Sequence, residues 1–544
     1  MKTEWTPETE ANGDADIGDP GTQGTQGPRD PGTQGPRDPG TQGPRDPGTQ
    51  GPRDPGTQGP RDPGTQGPRD PGTQGPRDPG TQGPRDPGGG TLKEIGVGEI
   101  MGKSGEKLDV KEEEEGKEET DKRKSGLSYG LAAFFMVAQM AGAGFLSLPK
   151  AVANASWGGA FMIFFFCVSV AFSASRLGMC WSILEERWEE YRKPARQPYM
   201  EIASRALGVH GRRITLFSVL FTQIGSTIVF IILIAGFMNN FVPSLSQCLW
   251  SLIVAAVLLP IVFLGSPKDF WQASVLAVLS TVVAIIVIDV EMLIQSAKFL
   301  AANPVHTIPT ISTFSLGFGA ILFSYGGSSV FPTIQNDMKD RREFWKSVII
   351  SFSTIFILYF PVGVIGYILL GDSVKDNILL SIGSSTILTV AVSLQIINLA
   401  GTFIISLNPC LQAIEDIIGI PTNFCWQRIV VRTSVILFEL LVVLAVPDFG
   451  LILNLIGGST MSCMSFILPP IMYMKLVADK SDKTWPERSI PLWQRAYLWL
   501  ILVMGIIGGI SATVSAVMAI AQPSAFKKSC FVNFYGTTPN STTT

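Results

Sequence analysis

The sequence has very little histidine and none of the common catalytic motifs. Its 544 residues include two histidines, His210 and His306, and neither lies near a cluster of carboxylates or cysteines. It contains no glycine-rich nucleotide-binding loop, no GxSxG segment and no zinc-binding spacing. We therefore expect no enzymatic activity, no cofactor and no metal site. Nucleic acid is not an expected partner either, because the basic residues follow the membrane topology described below.

Cysteine is also scarce, and its spacing forms no metal-binding or redox pattern. The seven cysteines include no CxxC pair. Four of them lie within or at the ends of apolar runs, and we interpret them as small packing residues: Cys167, Cys180, Cys410 and Cys463. Cys248 and Cys530 fall on the same outer side in the topology below, which leaves a disulfide between them open.

The first 125 residues lack apolar periodicity. Residues 24–87 are eight identical copies of Gly-Thr-Gln-Gly-Pro-Arg-Asp-Pro, a unit with no apolar side chain to bury. This composition predicts a disordered tail over residues 1–125. We interpret the neutral repeats as a spacer, and a docking tail is the alternative. Residues 1–30 also lack the apolar segment of a signal peptide, so we expect the first membrane helix to direct insertion and the tail to stay cytoplasmic.

Long apolar runs begin only after residue 126 or so. A helix needs about 20 mostly apolar residues to cross the hydrocarbon core of a bilayer. Eleven segments meet this requirement, and they predict an all-helical, multi-pass membrane domain over residues 126–522 with a short extracytoplasmic tail over 523–544. The segments are approximately 127–153, 158–183, 214–239, 248–265, 270–296, 313–335, 345–371, 385–416, 429–447, 449–475 and 492–521.

The distribution of lysine and arginine gives the orientation. With a cytoplasmic tail, 22 of these residues lie in the inner segments and 4 in the outer ones. Basic residues concentrate on the cytoplasmic side of membrane proteins, so this asymmetry predicts a cytoplasmic N-terminus. The odd number of spans then places the C-terminus outside, where Asn540 of Asn540-Ser541-Thr542 is a candidate glycosylation site.

Two of the apolar segments are interrupted near their middle. Span 1 contains Ala141-Gly142-Ala143-Gly144, followed by Pro149, and span 6 contains Ser324-Tyr325-Gly326-Gly327, followed by Pro332. Glycine and proline both weaken a helix. Spans 1 and 6 are five apart in order and run in opposite directions, as the two members of an inverted five-helix repeat would.

Unwound backbone within a bilayer is tolerated only where it is buried in protein or lines a water-filled cavity. Half-helix N-termini and freed N–H groups suit a carboxylate, and freed carbonyl groups suit an ammonium group or a cation. The paired breaks therefore predict a site for a zwitterion. No charged residue lies in either break, so we expect a small neutral amino acid. The alternative is that the glycines only allow close helix packing.

Three groups of residues resemble the amino acid/auxin permease family of amino acid transporters, over roughly residues 126–521. The first is Ala141–Ala151 in span 1, the second is Ile321–Gly327 with Pro332–Gln335 in span 6, and the third runs from Val431 to Pro470 across spans 9 and 10. The resemblance implies a LeuT-like fold of two inverted five-helix repeats plus an eleventh helix. It also implies that substrate binds between spans 1, 3, 6 and 8.

The resemblance carries over to particular positions. The implied substrate-binding residues are Ala141, Gly142, Ala143, Gly144, Ser324, Tyr325, Gly326 and Gly327, together with Thr222 of span 3. Sodium-coupled relatives carry an Asn three positions before the first glycine of the span 1 break and a Thr seven positions before a span 8 proline. Here these positions hold Gln139 and Thr402, and the longer glutamine side chain leaves Na⁺ coupling, H⁺ coupling and no coupling open.

A few polar side chains lie inside the apolar segments. Glu439 in span 9 is the carboxylate nearest to the centre of a span, which makes it a candidate carrier of a coupling proton. A structural hydrogen bond is the alternative, because span 9 is peripheral in folds of this type. Interhelical hydrogen bonding is likewise the alternative to a binding role for the polar residues of spans 3 and 8: Thr222, Gln223, Ser226, Asn398, Thr402, Ser406 and Asn408.

Together these features predict a secondary active transporter that moves small neutral amino acids across a lipid bilayer by alternating access, coupled to H⁺ or Na⁺. The alternative is an amino acid sensor that signals through the cytoplasmic tail. A passive channel fits paired broken helices less well. The sequence leaves two locations open, the plasma membrane and an endomembrane of the vacuolar or lysosomal type.

Overall fold

The computed structural model describes residues 126–193, 195–263, 271–383, 385–421, 425–527 and 529–532. Within these ranges every regular element is a helix, and one isolated β-bridge joins Leu127 to Met338. The tail predicted over residues 1–125, its repeats and the candidate glycosylation site Asn540 all lie outside the described residues.

The described helices are numbered here in chain order. They are α1 (Tyr129–Met140), α2 (Leu148–Ala155), α3 (Trp157–Arg187), α4 (Pro198–Phe241), α5 (Gln247–Val262), α6 (Trp271–Ile294), α7 (Ser296–Ala301), α8 (Ile311–Ser324), α9 (Phe331–Asn336), α10 (Phe344–Leu370), α11 (Leu379–Ile382), α12 (Thr386–Ile418), α13 (Trp426–Ala445), α14 (Phe449–Ile456), α15 (Leu468–Ala478), α16 (Leu492–Ile520) and α17 (Pro523–Lys527).

Each of the eleven predicted spans coincides with a helix or with a pair of helices. By length and hydropathy, seven continuous helical segments of the described chain could cross a membrane, one of them Phe449–Ala478, which contains α14 and α15. The count rises to eight if the bent pair of α1 and α2 is one span. The apolar helices α5 and α8 are shorter, at 16 and 14 residues. The all-helical, multi-pass architecture is therefore confirmed, whereas the count of eleven spans stays a prediction.

Short polar side chains begin several of these helices. The first turn of a helix leaves backbone N–H groups unpaired, and a Ser, Thr or Asp oxygen at the N-cap can accept from one of them. Such caps precede five of the helices: Ser128, Ser246, Thr310, Ser385 and Asp448. These residues fix where α1, α5, α8, α12 and α14 begin.

Both predicted helix breaks are present, and they lie against each other. A short 3₁₀ helix, Gly144–Ser147, lies between α1 and α2, and the chain bends by 48° there. In the second break, residues 325–330 separate α8 from α9. The Ser324 hydroxyl donates to the carbonyl oxygen of Gly144 at 2.9 Å. This contact shows that the breaks of spans 1 and 6 meet, as their predicted pairing requires.

The predicted cytoplasmic ends of the two broken spans are also joined by backbone hydrogen bonds. The N–H of Leu127, just before α1, donates to the carbonyl oxygen of Asp337 at 2.8 Å, and the N–H of Lys339 donates to the carbonyl oxygen of Leu127 at 2.9 Å. Asp337 and Lys339 directly follow α9. The half-helices α1 and α9 are thus tied together at the predicted cytoplasmic face.

Helix α4 contains a kink that separates a surface segment from a membrane span. Gly208 has φ 71° and ψ −162°, a conformation that a residue with a side chain rarely adopts. Before the kink, Tyr199 is 2% exposed, and its hydroxyl donates to the carbonyl oxygen of Met464 at 2.7 Å. The segment before Gly208 is therefore anchored against span 10.

A disulfide joins Cys248, at the start of α5, to Cys530, near the end of the described chain. The sequence left this pairing open. Replacing both cysteines with serine should lower the free energy of unfolding by about 2–5 kcal/mol, because the bond closes a very long loop. Thermal unfolding followed by circular dichroism tests this. A reductant should lower the melting temperature of the wild type and leave the double variant unchanged, and an equal shift in both would contradict the prediction.

Candidate functional site

A small cavity lies where the two breaks meet. Its volume is about 30 Å³, which is room for very few water molecules. Polar side chains, apolar side chains and backbone all contribute to its wall, and no lining residue is charged. The lining residues are Gln139, Met140, Gly142, Ala143, Gly144, Gln223, Ser226, Phe230, Phe323, Gly326, Gly327, Ser329, Thr402, Ser406 and Met461.

Several backbone N–H groups at the cavity are available to a ligand. Within the described part of the chain, those of Ala143, Gly327 and Ser329 donate no hydrogen bond. Ala143 immediately precedes the helical turn that leads into α2, so its N–H group lies at the positive end of a half-helix dipole. A carboxylate is the ligand group that such an end favours.

Five of the predicted substrate-binding residues line the cavity, namely Gly142, Ala143, Gly144, Gly326 and Gly327. The remaining four make other contacts. Two of these four make hydrogen bonds at the breaks. The Ser324 hydroxyl donates to the carbonyl oxygen of Gly144, and the carbonyl oxygen of Ala141 accepts from the hydroxyl of Thr281 on α6 at 3.2 Å.

Tyr325 and Thr222 are directed into packing contacts. The Tyr325 hydroxyl donates to the carbonyl oxygen of Ile163 at 3.0 Å, and Thr222 lies 2.7 Å from the hydroxyl of Thr460. Neither lines the cavity in this conformation. The wall contributed by α4 is instead formed by Gln223 and Ser226, which the sequence identified only as polar residues of span 3.

The three candidate coupling-ion residues divide between two places. Gln139 and Thr402 both line the cavity, and the Thr402 hydroxyl donates to Oδ1 of Asn398 at 3.3 Å. Glu439 lies away from the cavity and is fully buried. Its Oε1 lies 2.7 Å from the hydroxyl of Thr227, and its Oε2 has no hydrogen-bond partner in the described part of the chain.

Four large apolar side chains of the cavity wall were not predicted as site residues: Met140, Phe230, Phe323 and Met461. Met461 ends one of two π-helical turns, Gly457–Met461 and Cys463–Ile467, that interrupt span 10 between α14 and α15. A Cβ built on Gly326 would lie 2.4 Å from Cε of Met461. The methionine therefore packs directly on the second break and occupies space beside it.

A second, larger cavity opens at the predicted cytoplasmic end of α4 and α12. Its volume is about 860 Å³, and seven charged residues line it: Glu190, Lys193, Arg196, Glu201, Arg205, Arg212 and Asp416. Most of them form ion pairs, such as Arg196 with Asp416 at 3.1 Å. We call this cavity the vestibule. Tyr191 also lines it and accepts a hydrogen bond from Arg205, and burial raises the pKa of this tyrosine.

A thin layer separates the vestibule from the small cavity. Leu216 and Ala413 line the vestibule, whereas Gln223 and Ser406 line the cavity. On α4, Leu216 and Gln223 are seven residues apart, and on α12 so are Ser406 and Ala413. Seven residues span about 10 Å along a helix axis. Within this layer Nε2 of Gln223 donates to the carbonyl oxygen of Ser406 at 3.2 Å, and this bond joins α4 to α12.

Comparisons with known proteins place this arrangement in context. A family model described as transmembrane amino acid transporter protein matches residues 125–518. Amino acid transporter AVT1D of Arabidopsis thaliana is 24% identical over 398 residues, which cover 70% of this chain and 68% of the relative. Amino acid transporter AVT1B of the same plant is 24% identical over 409 residues, covering 73% of this chain and 72% of the relative.

Solved structures are more distant. A Na⁺-coupled sialic acid symporter in a substrate-bound outward-open state is 13% identical with a TM-score of 0.44, covering 73% of this chain and 90% of that chain. MhsT in complex with L-phenylalanine is 14% identical with a TM-score of 0.42, covering 72% of this chain and 99% of that chain.

Proposed function

The chain belongs to the transmembrane amino acid transporter family, and from this premise we propose that it carries small neutral amino acids across a membrane by alternating access. The observation that carries the proposal is the meeting of two helix breaks around a cavity with no charged lining residue. An α-amino and an α-carboxylate group could each be bound by backbone there. A charged substrate side chain would find no partner of opposite charge.

The size of the cavity supports a moving mechanism. At about 30 Å³ it is far smaller than the 300–1,000 Å³ of ordinary ligand pockets. Phe230, Phe323 and Met461 must therefore move apart before an amino acid can enter. The vestibule lies about 10 Å from the small cavity along α4 and α12. We propose that substrate passes between the cavity and the vestibule when the hydrogen bond between Gln223 and Ser406 opens.

We propose H⁺ as the coupling ion and Glu439 as its carrier. A carboxylate buried in the membrane is costly while it is charged and has an unpaired oxygen, and a proton removes that cost. The Thr227 hydroxyl can donate to Oε1 of Glu439 at 2.7 Å or to the carbonyl oxygen of Gln223 at 3.0 Å. A protonated Glu439 can itself donate to the Thr227 oxygen, and the single Thr227 proton can then switch to the carbonyl oxygen of Gln223 or to that of Ile224, which lies at 2.8 Å. This switch would link Glu439 to a residue that lines the cavity.

The coupling ion can be tested with two variants of the full chain in proteoliposomes. Glu439→Gln should abolish the stimulation of uptake by a proton gradient and leave exchange of internal for external amino acid intact. Thr402→Val serves as the comparison, because Thr402 lines the cavity and is the candidate for Na⁺ coupling. Uptake that depends on a Na⁺ gradient, and that loses this dependence in Thr402→Val, would contradict the proposal of H⁺ and favour Na⁺.

Transport itself is tested by uptake of a panel of radiolabelled amino acids into proteoliposomes. The expected result is saturable uptake of small neutral amino acids with counterflow, and little uptake of lysine or glutamate. Binding without flux would contradict the proposal and favour a sensor. Deleting residues 1–120 should leave flux unchanged, because we propose that the transport domain spans residues 126–522 and that the cytoplasmic tail is a spacer.

We also propose a cytoplasmic N-terminus in this multi-pass membrane protein. The basic residues between the spans support this orientation. The Cys248–Cys530 disulfide supports it as well, because both cysteines fall on the non-cytoplasmic side in that topology and disulfides persist in oxidising compartments.

A further inference from the structure

A groove on the side of the molecule, between α3 and α10, combines an apolar wall with unpaired cations. Its volume is about 620 Å³. Val168, Ala171 and Phe172 on α3 face Val348 and Ile349 on α10 across it. Val168 is 45% exposed and Ile349 is 55% exposed, so the groove opens outward. We call it the lateral groove.

Three arginines line the lateral groove near its predicted cytoplasmic end, and no acidic residue does. Arg341 is paired with Glu185. Arg342 is exposed and has no ion pair in the described part of the chain. The nearby carboxylate of Glu343 is already paired with Lys346. Arg342 is therefore available to an anion.

Arg176 is the second available cation. Its guanidinium lies over the ring of Phe172 at 4.8 Å, and Nη1 donates to Oε1 of Gln494 at 3.4 Å. Its Nε is buried without a hydrogen-bond partner in the described part of the chain. An unpaired donor on a buried charge is costly, and an acceptor with negative charge would remove that cost.

A buried amide at the end of α9 also lines the lateral groove. Gln335 is 1% exposed, and its Nε2 donates to the carbonyl oxygens of Gly178 and Arg341 at 3.0 and 3.2 Å. Its Oε1 has no partner in the described part of the chain. A hydroxyl group of a ligand could donate to this oxygen while its anionic group binds the arginines.

The dimensions of the lateral groove match one leaflet of a bilayer. From Val168 to Arg176 is eight residues along α3, or about 12 Å at 1.5 Å per residue. Half of a hydrocarbon core is about 15 Å thick. Trp345 lies at the same end as the arginines and is 52% exposed, as expected of a residue at a membrane interface.

We propose that the lateral groove binds an anionic phospholipid, with its phosphate at Arg342 and Arg176 and one acyl chain along the apolar wall. Basic pockets between membrane helices on the cytoplasmic side are suited to such head groups. Because Gln335 ends the second broken span, the bound lipid would contact α9, the half-helix that follows the second break. The regulation of transport by lipid rests on the proposed function, but the binding itself does not.

Binding is tested on the full chain in detergent by native mass spectrometry with phosphatidylglycerol or phosphatidylcholine added. The wild type should retain phosphatidylglycerol preferentially. Arg342→Gln should weaken retention about fivefold, as expected for one cation at the membrane surface. Arg213→Gln is the matched control, because Arg213 is an exposed arginine of the same predicted face outside the groove. Ala171→Trp should also reduce retention by filling the apolar wall.

Two results would overturn the lipid site. One is equal retention of the two lipids, and the other is an equal loss in Arg342→Gln and Arg213→Gln. Displacement of the lipid by inorganic phosphate alone would instead indicate a site for the free anion. Uptake in vesicles with and without phosphatidylglycerol then tests regulation. Lipid binding without an effect on uptake would remove the regulatory role, whereas absence of uptake in all vesicles would count against the proposed function only.

Discussion

Replacing Gly144 with alanine is expected to abolish transport and to destabilise the folded protein. A Cβ at this position would lie 2.5 Å from Cα of Ser324 and 2.9 Å from its Oγ. Since carbon atoms in contact normally lie about 3.5–4.0 Å apart, the two breaks would have to separate by about 1 Å. Overpacking of this kind costs about 1–3 kcal/mol. The substitution also disrupts the contact that shapes the cavity, so both uptake and the free energy of unfolding should decrease.

Gly142, in the same break, allows an effect on transport to be measured without a loss of stability. A Cβ on Gly142 would lie no closer than 3.8 Å to the ring of Phe230, which is ordinary contact, although Gly142 lines the cavity. Gly142→Ala should therefore melt like the wild type and transport with a raised KM. Gly130→Ala is the control for adding a methyl group to span 1, because nothing lies within 4 Å of its Cβ position.

Thermal unfolding can be followed with a thiol-reactive dye, because Cys167, Cys180 and Cys410 are buried and become reactive when the protein unfolds. Uptake is measured in proteoliposomes for the same three variants. Wild-type uptake by Gly144→Ala would show that the backbone contact between the breaks is dispensable, and the proposed site would then lose its main support.

The helix breaks could be predicted from the sequence because their cause is local. Glycine and proline act on the helix in which they lie, so Gly142, Gly144, Gly326 and Gly327 could be recognised without knowledge of their neighbours. Their pairing followed from the order of the spans. The structure confirms the pairing through the hydrogen bond from Ser324 to Gly144.

The side-chain wall of the cavity could not be predicted in the same way, because it depends on the rotation of each helix. Neighbouring residues on a helix point about 100° apart, so Thr222 contacts Thr460 while Gln223 lines the cavity. Tyr325 follows the last residue of α8, and its hydroxyl donates to the carbonyl oxygen of Ile163 on α3 instead of facing the cavity. Met461 lines the cavity at the end of a π-helical turn, and no residue pattern in span 10 predicted such a turn.

The disulfide could be considered only from the predicted membrane topology, because the sequence spacing of its two cysteines gives no indication of pairing. Cys248 and Cys530 are separated by 282 residues, so no local pattern connects them. The prediction that both lie outside made the pair conceivable, and only the packing of the C-terminal segment brings them together. The N–H of Cys530 donates to the carbonyl oxygen of Leu444 at the end of α13, at 2.9 Å, which fixes that segment in place.

A large loss of stability is also expected when the buried ion pair of Arg432 and Glu415 is broken. Arg432 is 2% exposed and Glu415 is 4% exposed, and Nε lies 2.7 Å from Oε1. The guanidinium also donates to the carbonyl oxygen of Val262 and lies 3.5 Å from Oδ1 of Asn408. It therefore joins α13 to both α5 and α12, close to the end of the vestibule.

Arg432→Leu should lower the free energy of unfolding by about 3–5 kcal/mol, because it leaves a buried carboxylate short of a partner. Arg428, 3.1 Å from the same oxygen, limits the loss to the lower part of that range. Replacing Glu415 with leucine as well removes the unpaired charge, so the double variant should be more stable than Arg432→Leu alone. Arg213→Leu, at an exposed site, should have little effect. The dye-based melting assay compares all three, and a double variant less stable than Arg432→Leu would show that the ion pair is not the source of the loss.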